Sequence, residues 1–230
     1  MPSTVTSAID WASMLDFGLN VAAVLICLVV HEVCHGLAAW KLGDPTAKMG
    51  HRLSLNPLRH LDPIGLLMMV VAGFGWAKPV PVDPRYFRNP KSGMAITALA
   101  GPLSNFVLAF LGAIFLNGTV AAWFFHQDNT LLEYAARFFY LLVSLNIGLG
   151  IFNLIPFPPL DGSKIMGMFL SDRLYYQLMR YERYGMVILM VVLWLGWLNV
   201  PLYAARSGVF NLFVDLTSFA QTAVFSLLGG

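Results

Sequence analysis

Long apolar runs constrain this chain more than any other feature of its sequence. Four runs reach the length of about 20 mostly apolar residues that a helix needs to cross a bilayer; they cover residues 17–40, 93–117, 135–157 and 185–204. Hydrophobic residues make up 58% of the chain and charged residues only 11%, whereas about a quarter of a soluble domain is charged. We therefore predict an all-α polytopic membrane protein with about four to six transmembrane segments.

Two further apolar segments fit an ordinary spanning helix poorly. Residues 62–80 are too short and too rich in glycine and proline, which favours a re-entrant loop or a β-hairpin element between the first two spans. Residues 208–228 are compatible either with a weak span or with an amphipathic helix on the membrane surface.

The distribution of lysine and arginine predicts the orientation in the membrane. These residues cluster in 41–92 and 158–184 and are absent from 1–16 and 118–134, so the positive-inside rule places the first two regions in the cytoplasm and the N-terminus outside. The N-terminus lacks the basic region of a signal peptide. A net charge of only +2 gives no electrostatic support for nucleic-acid binding.

The first apolar run contains the sequence HEVCH, which has the pattern H-E-x-x-H. On a helix, His31 and His35 lie one turn apart on one face, so both imidazoles can bind one metal ion. Glu32 is rotated by about 100° and can reach a water molecule beside that metal. Because polar residues are costly inside a membrane, this group favours a functional metal site over a structural one.

A catalytic zinc site has three protein ligands and one open position, so a third ligand must come from elsewhere in the chain. The acids and histidines predicted on the cytoplasmic side are His51, His60, Asp62, Asp83, Asp161 and Asp172. We favour Asp161, because the prolines of NLIPFPPLDG (153–162) should unwind the end of the third span and direct this side chain into a cavity. The alternative role for Asp161 is capping a helix that begins at Gly162.

Three ordered motifs, HEVCH, GPLSN (101–105) and NLIPFPPLDG, carry a resemblance to the site-2 protease family of intramembrane zinc metalloproteases, in its compact prokaryotic branch. The resemblance is dense over 28–163. It implies one Zn²⁺ ion held by His31, His35 and Asp161, a catalytic Glu32, and a supporting role for Asn153 at the substrate or reaction centre.

The resemblance also implies the organisation and surroundings of the protein. We expect one integral-membrane metalloprotease domain over 1–230, with a catalytic core of about 17–163 and C-terminal spans or an amphipathic helix in 185–228. The expected substrate is a single-span membrane protein, cut near the cytoplasmic side of a bacterial plasma membrane. The expected partners are the lipid bilayer and, for regulation, a second membrane protein or a homo-oligomer.

Several assignments stay open at this level. Asn105, in the second span, is compatible with packing between helices or with a place in the substrate channel, and with Asn153 it is a candidate for support of the substrate or reaction centre. The extended Pro79–Val80–Pro81 offers an edge for pairing with an unwound substrate. The rival functions are a membrane metal-binding or transport protein and an inactive helix-binding homologue. The intact Glu32 argues against both.

Overall fold

The computed structural model describes residues 11–62, 65, 78–180 and 182–229, and regular structure there is helical. Within those residues lie nine α-helices: α1 (Trp11–Lys41), α2 (Thr46–Met49), α3 (Pro90–Phe125), α4 (Thr130–Asn153), α5 (Asp161–Gly167), α6 (Asp172–Arg180), α7 (Glu182–Trp194), α8 (Asn199–Leu216) and α9 (Ser218–Leu228). Two short 3₁₀ turns, Pro57–Arg59 and Pro84–Tyr86, precede α3. The all-α fold class is confirmed.

Three helices are long and apolar enough to cross a membrane: Ser13–Lys41, Pro90–Phe125 and Thr130–Asn153. They correspond to the first three predicted spans. Both α3 and α4 begin further back than the apolar run alone suggests, because asparagine caps fix their starts. Asn89 accepts a hydrogen bond from the Ser92 N–H and Asn129 accepts from the N–H groups of Leu131 and Leu132.

The predicted fourth span, 185–204, is not one helix. α7 and α8 meet at an angle of 85°. The break contains Gly196, whose φ of 72° lies in the left-handed region that favours glycine and ends α7. Apolar length alone could not show this bend, because the residues on both sides of Gly196 are as apolar as the helices themselves.

α8 and α9 lie along α3 and run parallel to it. Contacts advance together along the two paths, from Phe110–Phe213, through Asn117–Thr217, to Phe125–Phe225. The sequence did not decide whether 208–228 spans the membrane or lies on its surface. In the structure this segment belongs to two helices, α8 and α9, which meet at Thr217 and both contact α3.

The core lies between α3 and α4. Its buried residues are Ala109, Ala113, Leu116, Val143 and Ile147. Small residues on α3 let the two backbones approach closely, as is usual between membrane helices; a Cβ atom at Gly112 would lie 3.0 Å from the Val143 side chain. α1 packs against both α3 and α4, so the three spans form one bundle.

The predicted re-entrant or hairpin element, 62–80, lies mostly outside the described residues. Its described end, from Lys78 onward, is not helical and leads into the 3₁₀ turn Pro84–Tyr86. The prediction for that element therefore stays a prediction.

Candidate metal centre

Two histidines of α1 and the first residue of α5 converge on one point. The Nε2 atoms of His31 and His35 are 3.0 Å apart, and each lies 3.2 Å from Oδ2 of Asp161. The side chains are largely buried. Among the described residues, these three are the group whose ligand atoms are close enough to share one metal ion.

The spacing and chemistry of these three atoms fit a zinc ion. Tetrahedral zinc with nitrogen and oxygen ligands at about 2.0–2.1 Å separates neighbouring ligand atoms by about 3.3 Å, close to the observed 3.0–3.2 Å. Two imidazole nitrogens and one carboxylate oxygen form the donor set of many catalytic zinc sites, which keep a fourth position open.

The orientation of each imidazole is fixed by a partner on α3. Nδ1 of His35 lies 2.7 Å from the backbone oxygen of Thr97. A carbonyl oxygen only accepts, so Nδ1 carries the proton and Nε2 keeps a lone pair facing the cluster. Nδ1 of His31 lies 2.5 Å from Oδ1 of Asn105. Such outer partners commonly orient histidines that bind metals.

Gly101 allows α3 to pass directly over the two histidines. A Cβ atom at this position would lie 2.7 Å from Cε1 of His31 and would overlap the ring of His35. No residue with a side chain therefore fits here without displacing a histidine, and the glycine of GPLSN has a steric reason.

The break after α4 places Asp161. α4 ends at Asn153, turns and bends occupy 154–160, and α5 begins at Asp161 itself. The predicted unwinding is confirmed. The alternative capping role is not, because the N-cap position belongs to Leu160 and the Asp161 carboxylate faces the histidines.

Glu32 lies beside the cluster and is held by the backbone of residues 78–83, which we call the proline strap. Its Oε2 accepts a hydrogen bond of 2.9 Å from the Val80 N–H. The strap is fixed at both ends as well, because Lys78 N–H donates to the His60 oxygen and Asp83 N–H donates to Asp44.

Comparison with known proteins agrees with this geometry. The family whose model matches is peptidase family M50, over residues 116–198, a region that contains Asp161 but not HEVCH. Putative zinc metalloprotease YwhC of Bacillus subtilis is 38% identical over 172 residues, which cover 75% of this chain and 78% of that protein. The chain belongs to peptidase family M50, the site-2 protease family.

More distant relatives extend the M50 match. The protein Rip2 of Mycolicibacterium smegmatis is 29% identical over 182 residues, covering 77% of this chain and 67% of its own length. MJ0611 of Methanocaldococcus jannaschii is 29% identical over 156 residues, covering 67% and 72%. Both carry the same description as YwhC. No solved structure matches the chain significantly.

With the M50 membership established, the chain is an integral membrane protein, and the other candidate residues can be placed. Asn153 donates to the Leu149 oxygen within its own helix. His60 is buried and contacts the Ser54 oxygen. Asp83 pairs with Arg85, which lowers the pKa of the Asp83 carboxyl, and Asp172 pairs with Lys91. These four lie outside the donor cluster.

Three contacts of the site were not predicted from the sequence. Thr97 acts through its backbone oxygen, and Val80 through its backbone N–H, so neither side chain gives a signal. Asn146 of α4 hydrogen-bonds Asn105, the partner of His31. The GPLSN motif was the one sequence feature that indicated a contribution of α3 to the site.

Proposed function

We propose that this M50 protein is an intramembrane zinc endopeptidase that hydrolyses peptide bonds in single-span membrane proteins. The observation that carries the proposal is the convergence of His31, His35 and Asp161 within the bundle, with Glu32 beside them. Relatives that bear the name zinc metalloprotease support the same reaction class.

Each residue has a distinct role in this proposal. His31, His35 and Asp161 hold the zinc ion, which when bound supplies a Lewis acid that acidifies water and polarises the scissile carbonyl. Glu32 removes a proton from the attacking water and passes it to the leaving amine. The Val80 N–H holds one carboxylate oxygen of Glu32 and leaves the other for this proton transfer.

The depth of the cluster supports cleavage inside the membrane. His31 lies ten residues before the end of α1 at Lys41, which corresponds to about 15 Å along the helix. The lysine and arginine clusters predict that this end lies in the cytoplasm. We propose accordingly that the protein lies in the bacterial plasma membrane, with its N-terminus outside, and cuts near the cytoplasmic side.

The substrate must expose a peptide bond to the cluster. A membrane-spanning helix hides its backbone in internal hydrogen bonds, so we propose that the substrate unwinds locally before it is cut. The strap is a limited surface for strand pairing, because the N–H groups of Lys78, Val80 and Asp83 donate within the protein and both prolines lack one. Regulation by a membrane partner or a homo-oligomer stays a prediction.

The test is cleavage of a panel of single-span substrates by purified protein, with zinc content measured in parallel. Wild type should cleave and hold about one zinc ion. Glu32→Gln should keep the zinc and lose cleavage, because an amide cannot accept the proton. Asp161→Ala should lose both zinc and cleavage.

Matched controls use the same substitutions away from the site. Glu133→Gln removes a carboxylate that pairs with Arg137, and Asp172→Ala removes one that pairs with Lys91; both should cleave as wild type does. Cleavage that survives Glu32→Gln would overturn the proposed role of this carboxylate. Zinc content unchanged in Asp161→Ala would overturn the proposed ligand set.

A further inference from the structure

A chain of buried hydrogen bonds crosses three helices and ends on His31. Nδ2 of Asn146 lies 2.8 Å from the Leu142 oxygen, and Oδ1 of Asn146 lies 2.7 Å from Nδ2 of Asn105. Oδ1 of Asn105 then lies 2.5 Å from Nδ1 of His31. Both asparagine side chains are 0% exposed, so water does not compete for these contacts.

The direction of this chain is set at its far end. The Leu142 carbonyl can only accept, so Asn146 presents its NH₂ group to Leu142 and its oxygen to Asn105. Asn105 must then present its own NH₂ group to Asn146. The same NH₂ group lies 3.3 Å from a second acceptor, the backbone oxygen of Cys27. The Asn105 oxygen is therefore left to face Nδ1 of His31, which carries the proton.

We propose that Asn105 and Asn146 are positioning residues that hold His31 in the tautomer needed to bind the metal. With its proton on Nδ1, His31 turns the lone pair of Nε2 toward His35 and Asp161. This role depends on the proposed metal centre, because it concerns how the buried hydrogen bonds hold one of the metal ligands in place. Neither asparagine contacts the reacting atoms.

The opposite orientation of the Asn105 amide would favour the wrong tautomer of His31. If the Asn105 amide turned over, its NH₂ group would face Nδ1 of His31, and the proton would move to Nε2, where no lone pair would remain for a metal. The turned amide would also bring its oxygen against the oxygens of Asn146 and Cys27. Such buried mismatches are expensive, so the two acceptors keep the productive orientation.

The two histidines differ in how they are held. His35 is fixed directly by the Thr97 backbone oxygen, which side-chain substitutions do not remove. The partner of His31 is instead a side chain, Asn105, which Asn146 in turn orients. Substitutions in this chain should therefore weaken the metal centre through one ligand while the other stays oriented.

The test measures zinc affinity of metal-free protein in detergent by competition with a chelator, together with thermal unfolding. Asn105→Leu removes the acceptor and should weaken zinc binding about 10–100-fold. Asn105→Asp keeps an acceptor for Nδ1 and should recover part of that loss. Asn146→Leu should weaken binding less, by up to about tenfold, because the Cys27 oxygen still orients Asn105.

Asn117→Leu is the matched control. Asn117 is also a buried asparagine of α3, but it donates to the Val214 oxygen and Thr217, away from the cluster. This variant should unfold at a lower temperature and bind zinc as wild type does. The absorption spectrum of the Co²⁺-substituted protein provides a second readout, since it should change in Asn105→Leu and not in Asn117→Leu.

Three outcomes would separate the possible errors. Wild-type zinc affinity in folded Asn105→Leu, or in Asn146→Leu if Asn105→Leu does not fold, would overturn the positioning role. An equal loss of affinity in Asn117→Leu would show a general effect of stability and overturn it as well. Wild-type affinity in His31→Ala would instead overturn the proposed metal centre itself.

Discussion

At the scale of single residues, Gly101 leaves no room for a side chain beside the two histidines. We predict that Gly101→Ala lowers zinc affinity by at least about tenfold, because the added Cβ would overlap His35 and lie 2.7 Å from Cε1 of His31. The measurement is chelator competition combined with cleavage of a single-span substrate.

Gly118→Ala is the control for this prediction. It makes the same change on the same helix, at a position where a Cβ would meet nothing within 4 Å, and alanine favours a helix by about 1 kcal/mol over glycine. It should keep zinc affinity and raise thermal stability slightly. A Gly101→Ala protein that binds zinc normally would show that the histidines move aside without consequence.

Single residues also show which parts of the site can be predicted from the sequence. The convergence of His31, His35 and Asp161 follows from helical spacing and from the prolines that interrupt the third span, so it could be predicted. Their supporting contacts could not. Thr97 acts through a carbonyl oxygen that every residue has, and the pairing of Asn105 with Asn146 depends on how α3 packs against α4.

At the scale of elements, the proline strap lies between α1 and α3 in the chain and is hydrogen-bonded to Glu32 of α1. We predict that Val80→Pro lowers the turnover rate about tenfold to a hundredfold with zinc content unchanged, because it removes the N–H that holds Glu32. The measurement is kcat and KM on one single-span substrate, with zinc determined on the same sample.

Two variants serve as controls for the strap. Val82→Pro introduces the same ring two residues later, where the structure gives no partner for the N–H among the described residues, and it should be milder. Val80→Ala keeps the N–H and removes side-chain packing near Gly36. Equal losses in Val80→Ala and Val80→Pro would assign the effect to packing rather than to the hydrogen bond.

The helices also show which spans can be predicted from hydropathy and which cannot. The first three spans could be predicted because each lies in one long and almost continuous apolar run. The fourth could not, because Gly196 bends the chain by 85° inside a run that is apolar throughout. α8 and α9, rather than the predicted 185–204, then follow α3. The bend depends on the left-handed backbone conformation of Gly196, which the hydropathy of the sequence does not show.

At the scale of the whole molecule, the packing places the start of α1 and the end of α9 at the same end of the bundle. Asp16 near the start of α1 pairs with Arg137 near the start of α4. At the other terminus, Phe225 of α9 contacts Phe125 at the end of α3, one short turn before α4. The orientation predicted from lysine and arginine would put both of these helix ends outside the cytoplasm.

We predict that a cysteine at position 229 reacts in intact cells with a maleimide that cannot cross the membrane. His126→Cys, in the turn between α3 and α4, should react in the same way, while Asp172→Cys, beside the predicted cytoplasmic cluster, should react only after lysis. The native Cys27 and Cys34 both lie in α1, and the unsubstituted protein measures their background.

The pattern of labelling separates packing from orientation. If positions 126 and 229 react together and 172 does not, both the parallel course of α8 and α9 along α3 and the predicted orientation hold. If 126 and 229 require lysis while 172 reacts directly, the bundle is correct but inverted, and cleavage would occur on the outer side. If 229 behaves like 172 and unlike 126, α9 does not pack against the end of α3 in the membrane.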